Sequence, residues 1–418
     1  MSWIRRYRTR SFLRNSLWFP PLLGMVGALV LFRMVRWADM SLGWEVSMGV
    51  EGARALLSTL ASAMFTFIVF VFSILLLSVQ LASAQLTPRI IAFFYRNPVL
   101  KFSLSVFVFT FTFSLAVIFR TENSVLPIAF WLAVWNSLAC IGIFLYMIDH
   151  VGKSLRPISL LNQIGNAGRE VILDIYPQPL TETDDHDFEI MGGKGYGSSS
   201  IIEARHTGVV LAFDVIGLTE LARSTNSLIE LIPQVGNFIA SGDPLFRVYQ
   251  PGEVIPEKQF YQAVAIGNER TMEQDPGFAF RIIVDIASKA LSPAINDPTT
   301  AVIALDQIHR LLRVVARQKL DTGRVYDNEG KLRLIFRTPN WDDFINLAIT
   351  EIRHYGKNSL QVVRRLKALL ENLIDVVPPN RAVSLKEELE ILKHTVEREF
   401  PDTKDQKLAI SADSLGMG

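Results

Sequence analysis

From Arg54 to Arg89 the chain reads RALLSTLASAMFTFIVFVFSILLLSVQLASAQLTPR, and residues 55–88 carry no charge. About 20 residues of helix suffice to cross the hydrocarbon core of a bilayer. At ~1.5 Å of rise per residue, this stretch would reach about 50 Å as one helix. It therefore predicts a membrane span that projects beyond the bilayer. With about 100° of turn per residue, Ser58, Thr59, Ser62, Thr66, Ser73, Gln80, Ser83 and Thr87 fall in a single arc. Phe65, Val69 and Leu76 interrupt that arc, and Ser78 and Gln85 lie outside it. The stretch reads as a long membrane helix with a soft polar face.

The rest of the first 150 residues follows the same pattern. Apolar runs predict four spans, at about 17–35, 55–86, 99–119 and 125–148. The first needs Arg33 to snorkel toward the interface. Arg5, Arg6, Arg8, Arg10 and Arg14 precede span one; Arg89, Arg96 and Lys101 lie between spans two and three; Lys153 and Arg156 follow span four. The other two loops have fewer or balanced charges, so the positive-inside rule places both termini in the cytoplasm. Trp18, Trp37, Trp44 and Trp131 sit near span ends, as interface anchors do. Arg5-Arg6 does not read as an export signal, because no small-residue cleavage site follows and further spans do.

Spans two, three and four have no Asp, Glu, Lys or Arg in their interiors. Proton relays, voltage sensors and ion-coupled pumps place such groups at membrane depth. Polar residues do occur there: the span-two arc, Thr110, Thr112 and Ser114 on span three, and Asn136 on span four. One reading is helix packing and backbone hydrogen bonding. The other is that Thr59, Ser62, Thr66, Ser73, Gln80 and Ser83 line a passive, water-filled path in a homo-oligomer. Lys+Arg (42) balance Asp+Glu (41), which gives no footprint for nucleic acid. Cys140 is the single cysteine, so neither an intrachain disulfide nor a cysteine-based zinc site is expected.

Beyond His150 charged residues mix with short apolar segments, the pattern of a cytosolic α+β domain. Residues 151–204 read as a connecting helix and a flexible loop, the loop rich in Pro, Gly, Ser and Asp. Asp184, Asp185, His186 and Asp187 are consecutive and read as a solvated acidic turn, with no metal expected. Residues 205–268 are β-rich. Their VGNFIASGDPLF segment resembles the hairpin of biotinyl- and lipoyl-carrier barrels, but no lysine lies between Arg205 and Val254. A small barrel-like shape without carrier chemistry, and without a cofactor, is the expectation. QFYQAVAIG within it reads as a strand.

Residues 269–400 predict a mostly helical subdomain, followed by a disordered tail at 401–418. Asp275-Pro276 and Asp297-Pro298 each place an N-cap acceptor before a proline at the first helical position. Ile282, Ile286 and Ala290, then Val302, Leu305, Ile308 and Leu312, recur as core-facing stripes. Asp285, Ser292, Asn296, Asp297 and Thr300 gather around the intervening elbow, with Asp306 and His309 further on. They read either as helix caps or as a cluster for a cation or phosphate. No HExxH, GxSxG or Walker spacing accompanies them.

QLASAQLTPRIIAFF, FAFRIIVDIASKALSPAINDPTTA and TPNWDDFINLAITEIRHYG together resemble the bacterial membrane proteins grouped as domain of unknown function 2254. The resemblance covers nearly the whole chain, and Ser292-Pro293-x-x-Asn296-Asp297-Pro298-x-Thr300-Ala301 is its most specific motif. It implies a bacterial cytoplasmic-membrane protein and supplies no activity, substrate or catalytic residue. Three functions are compatible with the residues: an oligomeric conduit or sensor gated by its cytosolic domain, a membrane-anchored enzyme using the Asp285–His309 region, and a scaffold for a cytosolic protein partner.

Overall fold

The computed structural model describes residues 2–42, 49–121, 124–180, 199–249, 255–320 and 323–413. Trp44, the acidic turn at Asp184–Asp187 and most of the loop around it lie outside these residues. The chain divides into two compact units, one of Thr9–Ser159 and one of Leu160–Gly418 with Met1–Arg8.

α1 (Trp3–Asn15), which belongs to the first unit from Thr9 onward, leads to α2 (Phe19–Leu42) and α3 (Val50–Gln85). A 3-10 turn at Pro88–Ile90 and the short α4 (Ile91–Arg96) follow, then α5 (Pro98–Arg120) and α6 (Pro127–Ser154). α2, α3, α5 and α6 are long and apolar enough to cross a membrane. α5 is the central helix, packed against α2, α3 and α6. Small residues make this possible: Ala28, Ala53, Ala129 and Ala133 are buried around Leu57, Phe113, Val117 and Phe130. At Gly24 any Cβ would lie 2.6 Å from the Ser105 carbonyl oxygen, so α2 meets α5 at backbone distance.

α6 starts with a deficit. Leu126 stands at its N-cap and offers no side-chain acceptor, although the first N–H groups of any helix need partners. Asp39, from the last turn of α2 and only 5% exposed, supplies them. Its carboxylate accepts from Ile128 N at 2.8 Å and Ala129 N at 3.1 Å. An anion at a helix N-terminus is also favoured by the helix dipole.

The second unit begins with α7 (Pro157–Ile175), whose Leu160, Leu161, Ile164 and Ile172 are buried along one face. Eight strands follow among the described residues: β1 (Ser199–Glu203), β2 (Gly208–Phe213), β3 (Leu228–Leu231), β4 (Phe238–Ile239), β5 (Pro244–Tyr249), β6 (Val264–Gly267), β7 (Arg324–Tyr326) and β8 (Leu332–Phe336). They form two open sheets, β1-β5-β3-β8-β7 and β4-β2-β6. All pairings are antiparallel except β3 with β8. The expected barrel-like closure is absent among the described residues. No ladder among the described residues joins the edge strands β1 or β7 of the first to β4 or β6 of the second. Ser241-Gly242-Asp243 makes the turn into β5, with Gly242 at φ +93°, a conformation that suits glycine.

Between the strands lie α8 (Val215–Ser224) and α9 (Glu257–Gln262), so the first half of the expected QFYQAVAIG strand is a helical turn. The region past residue 268 is mostly helical and includes the β7–β8 hairpin, whose β8 lies beside β3. A buried ion pair fixes that placement. Arg333 donates to Asp327 at 2.6 Å within the hairpin and to Asn226 Oδ1 at 3.1 Å beside β3.

The helical part comprises α10 (Pro276–Ala290), α11 (Pro298–Val315), α12 (Trp341–Tyr355), α13 (Leu360–Val376), α14 (Pro379–Glu399) and α15 (Thr403–Ile410). α10 packs on α11 and α12, α11 on α13, and α14 on α12 and α13. The stripe residues Ile282, Ile286, Ala290, Val302, Leu305, Ile308 and Leu312 are all buried. Residues 403–410 correct the expectation of a tail without order. Asp402 caps α15 through Lys404 N at 2.7 Å, and Ala409 is fully buried.

Candidate functional site

On α3 the buried side chains are Ala53, Leu57, Ala61, Met64, Val71, Leu75, Ser78 and Ala82, a small and mostly apolar face. Thr59, Ser62, Thr66, Ser73 and Gln80 lie on the exposed side, and Ser83 is half-buried. The polar arc therefore points out of its own helix bundle, together with Phe65, Val69 and Leu76. Its hydroxyls are satisfied locally. Thr59 donates to Ala55 O at 2.9 Å, Ser62 to Ser58 O at 2.9 Å, Thr66 to Ser62 O at 3.0 Å, and Ser73 to Val69 O at 3.0 Å. Each oxygen keeps acceptor capacity for water or a neighbouring helix. Thr87 does something else: it caps the 3-10 turn, accepting from Arg89 N.

Polar residues buried inside this unit include Asp39 of α2, Ser78 of α3, Ser137 of α6 and three of α5. Ser103, Thr110 and Ser114 are fully buried, and Cys140 Sγ of α6 donates to Thr110 Oγ1 at 3.3 Å. Thr112 and Asn136 are half-buried.

In the second unit the elbow motif is built from caps. Asp297 accepts from Thr300 N at 3.0 Å and from Thr300 Oγ1 at 2.6 Å, which starts α11. Asn296 turns the chain at φ +50°. Asp297 N donates to Ala290 O at 2.7 Å, and Ser292 Oγ donates to Lys289 O at 2.7 Å, which closes α10. Asp285 stands one helical turn away and accepts from Arg281 Nε at 2.8 Å, while Arg281 forks onto Glu351 of α12 at 2.5 and 2.7 Å. These side chains serve three separate structural tasks and do not converge on a common point. No group of three or more His, Cys, Asp or Glu suited to a metal occurs among the described residues.

His309 lies three turns along α11 and has its own partners. Nε2 meets Asn372 Oδ1 at 2.8 Å and Nδ1 meets Arg365 Nη2 at 3.2 Å. Arg365 also donates to Asp306 at 2.7 Å, and Arg313 donates to Asn372 Oδ1 at 3.0 Å. An amide oxygen on one side and a guanidinium donor on the other assign a neutral ring carrying its proton on Nε2. Burial, with Arg365 and Arg313 nearby, pushes the imidazole below its ordinary range. At the start of α10, Asp275 is 2% exposed, caps Phe278 N at 3.1 Å, and is forked by Arg270. Burial pushes that carboxyl up.

Sequence reasoning missed Asp39 and Arg381, which are both caps supplied from another helix. Arg381 of α14 donates to Ala316 O at 3.0 Å and Gln318 O at 3.1 Å at the end of α11. Its guanidinium lies over Trp341, whose Nε1 returns a hydrogen bond to Arg381 O at 2.9 Å. The missing acceptor at Leu126-Pro127 was readable as a deficit, but not the residue that fills it.

Four membrane-length apolar helices and a following mixed α/β region define a multi-pass membrane protein with a large folded appendage. Residues 14–372 match the family described as predicted membrane protein (DUF2254), and the chain belongs to that family. It is 26% identical to an uncharacterized protein of Mycobacterium bovis and to one of Mycobacterium tuberculosis, over 98% of this chain and 81% of each relative. No solved structure matches the chain.

Proposed function

We propose that this protein is an oligomeric passive conduit or sensor of the bacterial cytoplasmic membrane, with both termini in the cytoplasm and the α/β region gating the span bundle. The observation that supports it is the outward position of Thr59, Ser62, Thr66, Ser73 and Gln80 on α3. Packing inside one copy does not use that arc. Water or a second copy of α3 would complete the oxygens' acceptor capacity and the Gln80 amide, which lipid tails do not. The absence of charge between Arg54 and Arg89 favours a passive path over a coupled one. The enzyme alternative loses its motive, because Asp297 caps a helix and Asp285 and His309 serve different partners.

The test uses a Cys140→Ser background carrying Thr66→Cys or Ser73→Cys. Disulfide cross-linking between copies in native membranes, and ion flux in liposomes that a charged thiol reagent alters, are the expected results. Absence of both cross-links and flux under tension, voltage and osmotic stress would overturn the proposal.

A further inference from the structure

α1 carries five arginines, Arg5, Arg6, Arg8, Arg10 and Arg14, and the first acidic residue of the chain is Asp39. All five side chains are exposed, and none forms an ion pair with a described residue. Arg5 and Arg8, Arg6 and Arg10, and Arg10 and Arg14 are like charges one turn apart, an arrangement that destabilises a helix in water. Burial divides the helix into two sides. Trp3, Ile4, Tyr7 and Ser11 are half-buried and fall together at about 100° per residue, with Trp3 stacked on Tyr7 at 5.3 Å. The opposite arc holds Arg5, Arg6, Arg8, Thr9, Phe12 and Leu13, every one exposed. Arginines that share a face with bare apolar side chains suit a helix seated at a charged lipid surface, guanidiniums among the headgroups and apolar groups beneath.

The last turn of α1 is fixed at one end of the span bundle. α1 ends at Asn15, and α2 opens at Phe19, whose N–H donates to Ser16 Oγ at 3.3 Å. Lys101 Nζ donates to the Arg14 carbonyl at 2.6 Å, and Arg96 Nε donates to Asn15 Oδ1 at 2.7 Å, which fastens the turn to the start of α5. Gly24 lies against Ser105 and Gly27 against Phe109, so α2 and α5 run parallel from that same end. Phe12 and Leu13, 51% and 39% exposed, therefore stand at the level where two span-length helices begin. Trp18, also exposed, meets Phe12 edge-on at 5.7 Å.

We infer that the exposed arc of α1 is a docking surface for the anionic headgroups of the bilayer leaflet from which α2 enters. Arg5, Arg6 and Arg8 pair with phosphates of several lipids at once, each cation strengthening the attraction about fivefold. Phe12, Leu13 and Trp18 sink into the boundary between headgroups and acyl chains. The arc binds a charged surface and holds no single lipid in a pocket. A nucleic-acid backbone would match the arginines and leave Phe12 and Leu13 without a partner. The inference stands apart from the α3 arc and does not depend on the conduit reading.

The test uses the full-length Cys140→Ser protein with a nitroxide attached at Thr9→Cys, in the middle of the arc. It is placed in nanodiscs of phosphatidylcholine, alone or mixed equally with phosphatidylglycerol. Collision with the neutral relaxer nickel ethylenediaminediacetate falls about fivefold when phosphatidylglycerol is present. It recovers in about 1 M salt, where charges are screened within about 3 Å. These lipid and salt responses need no further variant. Arg5→Gln, Arg6→Gln and Arg8→Gln together abolish the fall, whereas lysine at the same three positions retains it. Arg33→Gln, Arg54→Gln and Arg120→Gln remove as many exposed arginines from the other end of the bundle and leave the fall unchanged. Thermal melts equal to the parent's verify that each variant is folded. Equal accessibility in the two lipids, a fall that survives the glutamine triple at the arc, or equal loss in the control triple would each overturn the inference. So would shielding of the label by added RNA in phosphatidylcholine alone with no response to phosphatidylglycerol, which would assign the arc to nucleic acid.

Discussion

Asp39 and Arg381 act on helix ends of opposite polarity, each with the charge that end prefers. Asp39 neutralises the N–H groups that open α6, and Arg381 the carbonyls that close α11. Asp39→Ala leaves two N–H groups without their acceptor in the bundle, and about 1–3 kcal/mol of stability should be lost. Asp39→Asn keeps an acceptor and should lose less; thermal unfolding in mild detergent separates the two. His309 gives a pH dependence. Its ring is neutral when folded and resists the proton that the unfolded chain takes up near pH 6.5. Stability from this residue is therefore complete above pH 6.5 and declines as pH falls below it, until the folded ring also titrates. The groups facing it are Asp306 and Arg313 on α11 and Arg365 and Asn372 on α13. His309→Gln should flatten the melting-temperature profile between pH 6.5 and 5, and an unchanged profile would refute the assignment. Asp275 and Asp297 were legible as caps because the acceptor and the proline are adjacent in sequence. Asp39 and Arg381 were not, because a cap supplied in trans leaves no local spacing.

The membrane unit is organised around α5, although α3 is its longest and most apolar helix. α5 buries Ser103, Thr110 and Ser114 and meets α2 at backbone distance. The Gly24 contact with the Ser105 backbone measures that closeness, since a Cβ would enter to 2.6 Å of a carbonyl that cannot swing aside. Gly27, one turn on, has its nearest neighbours 4.0 Å away. Gly24→Leu should therefore destabilise by about 1–3 kcal/mol through overpacking, whereas Gly27→Ala should be nearly neutral, as paired thermal melts would show. The spans were legible because hydrophobic length alone specifies them. Burial within the bundle was not: a hydroxyl bonded to its own backbone looks the same on an inner or outer face, so buried Ser137 and exposed Ser62 read alike in sequence. In the second unit the helix stripes were legible from their period. QFYQAVAIG was not, because a short apolar-polar run fits one helical turn as well as a strand. The tail misled for a different reason, since its polar composition hides two buried residues, Ala409 and Asp413.

At the scale of the molecule, sheet and helices of the second unit are one fold: β8 arrives from between α11 and α12 and takes a place next to β3. Closure into a barrel would have required an edge strand of one sheet, β1 or β7, to pair with β4 or β6 of the other, and long-range pairing of that kind has no signature in a dozen residues of hairpin. The two compact units have their own cores, Ala28–Phe130–Ala133 in the first and Ile229–Phe246–Leu334 in the second. Separate cores predict separate losses of stability. Cys140 reports on the first, being the single cysteine and fully buried, so that a bulky maleimide reaches it only after the bundle opens. Amide exchange in α11 and α13 reports on the second. Asp39→Ala should raise the rate of Cys140 labelling and leave that exchange unchanged. Arg381→Ala strips donors from the end of α11, at about 2–4 kcal/mol for a charged group serving several carbonyls, and should accelerate exchange while leaving Cys140 protected. If either substitution moved both readouts equally, the chain would be opening as one cooperative body, and the span bundle could not open without loosening the α/β region.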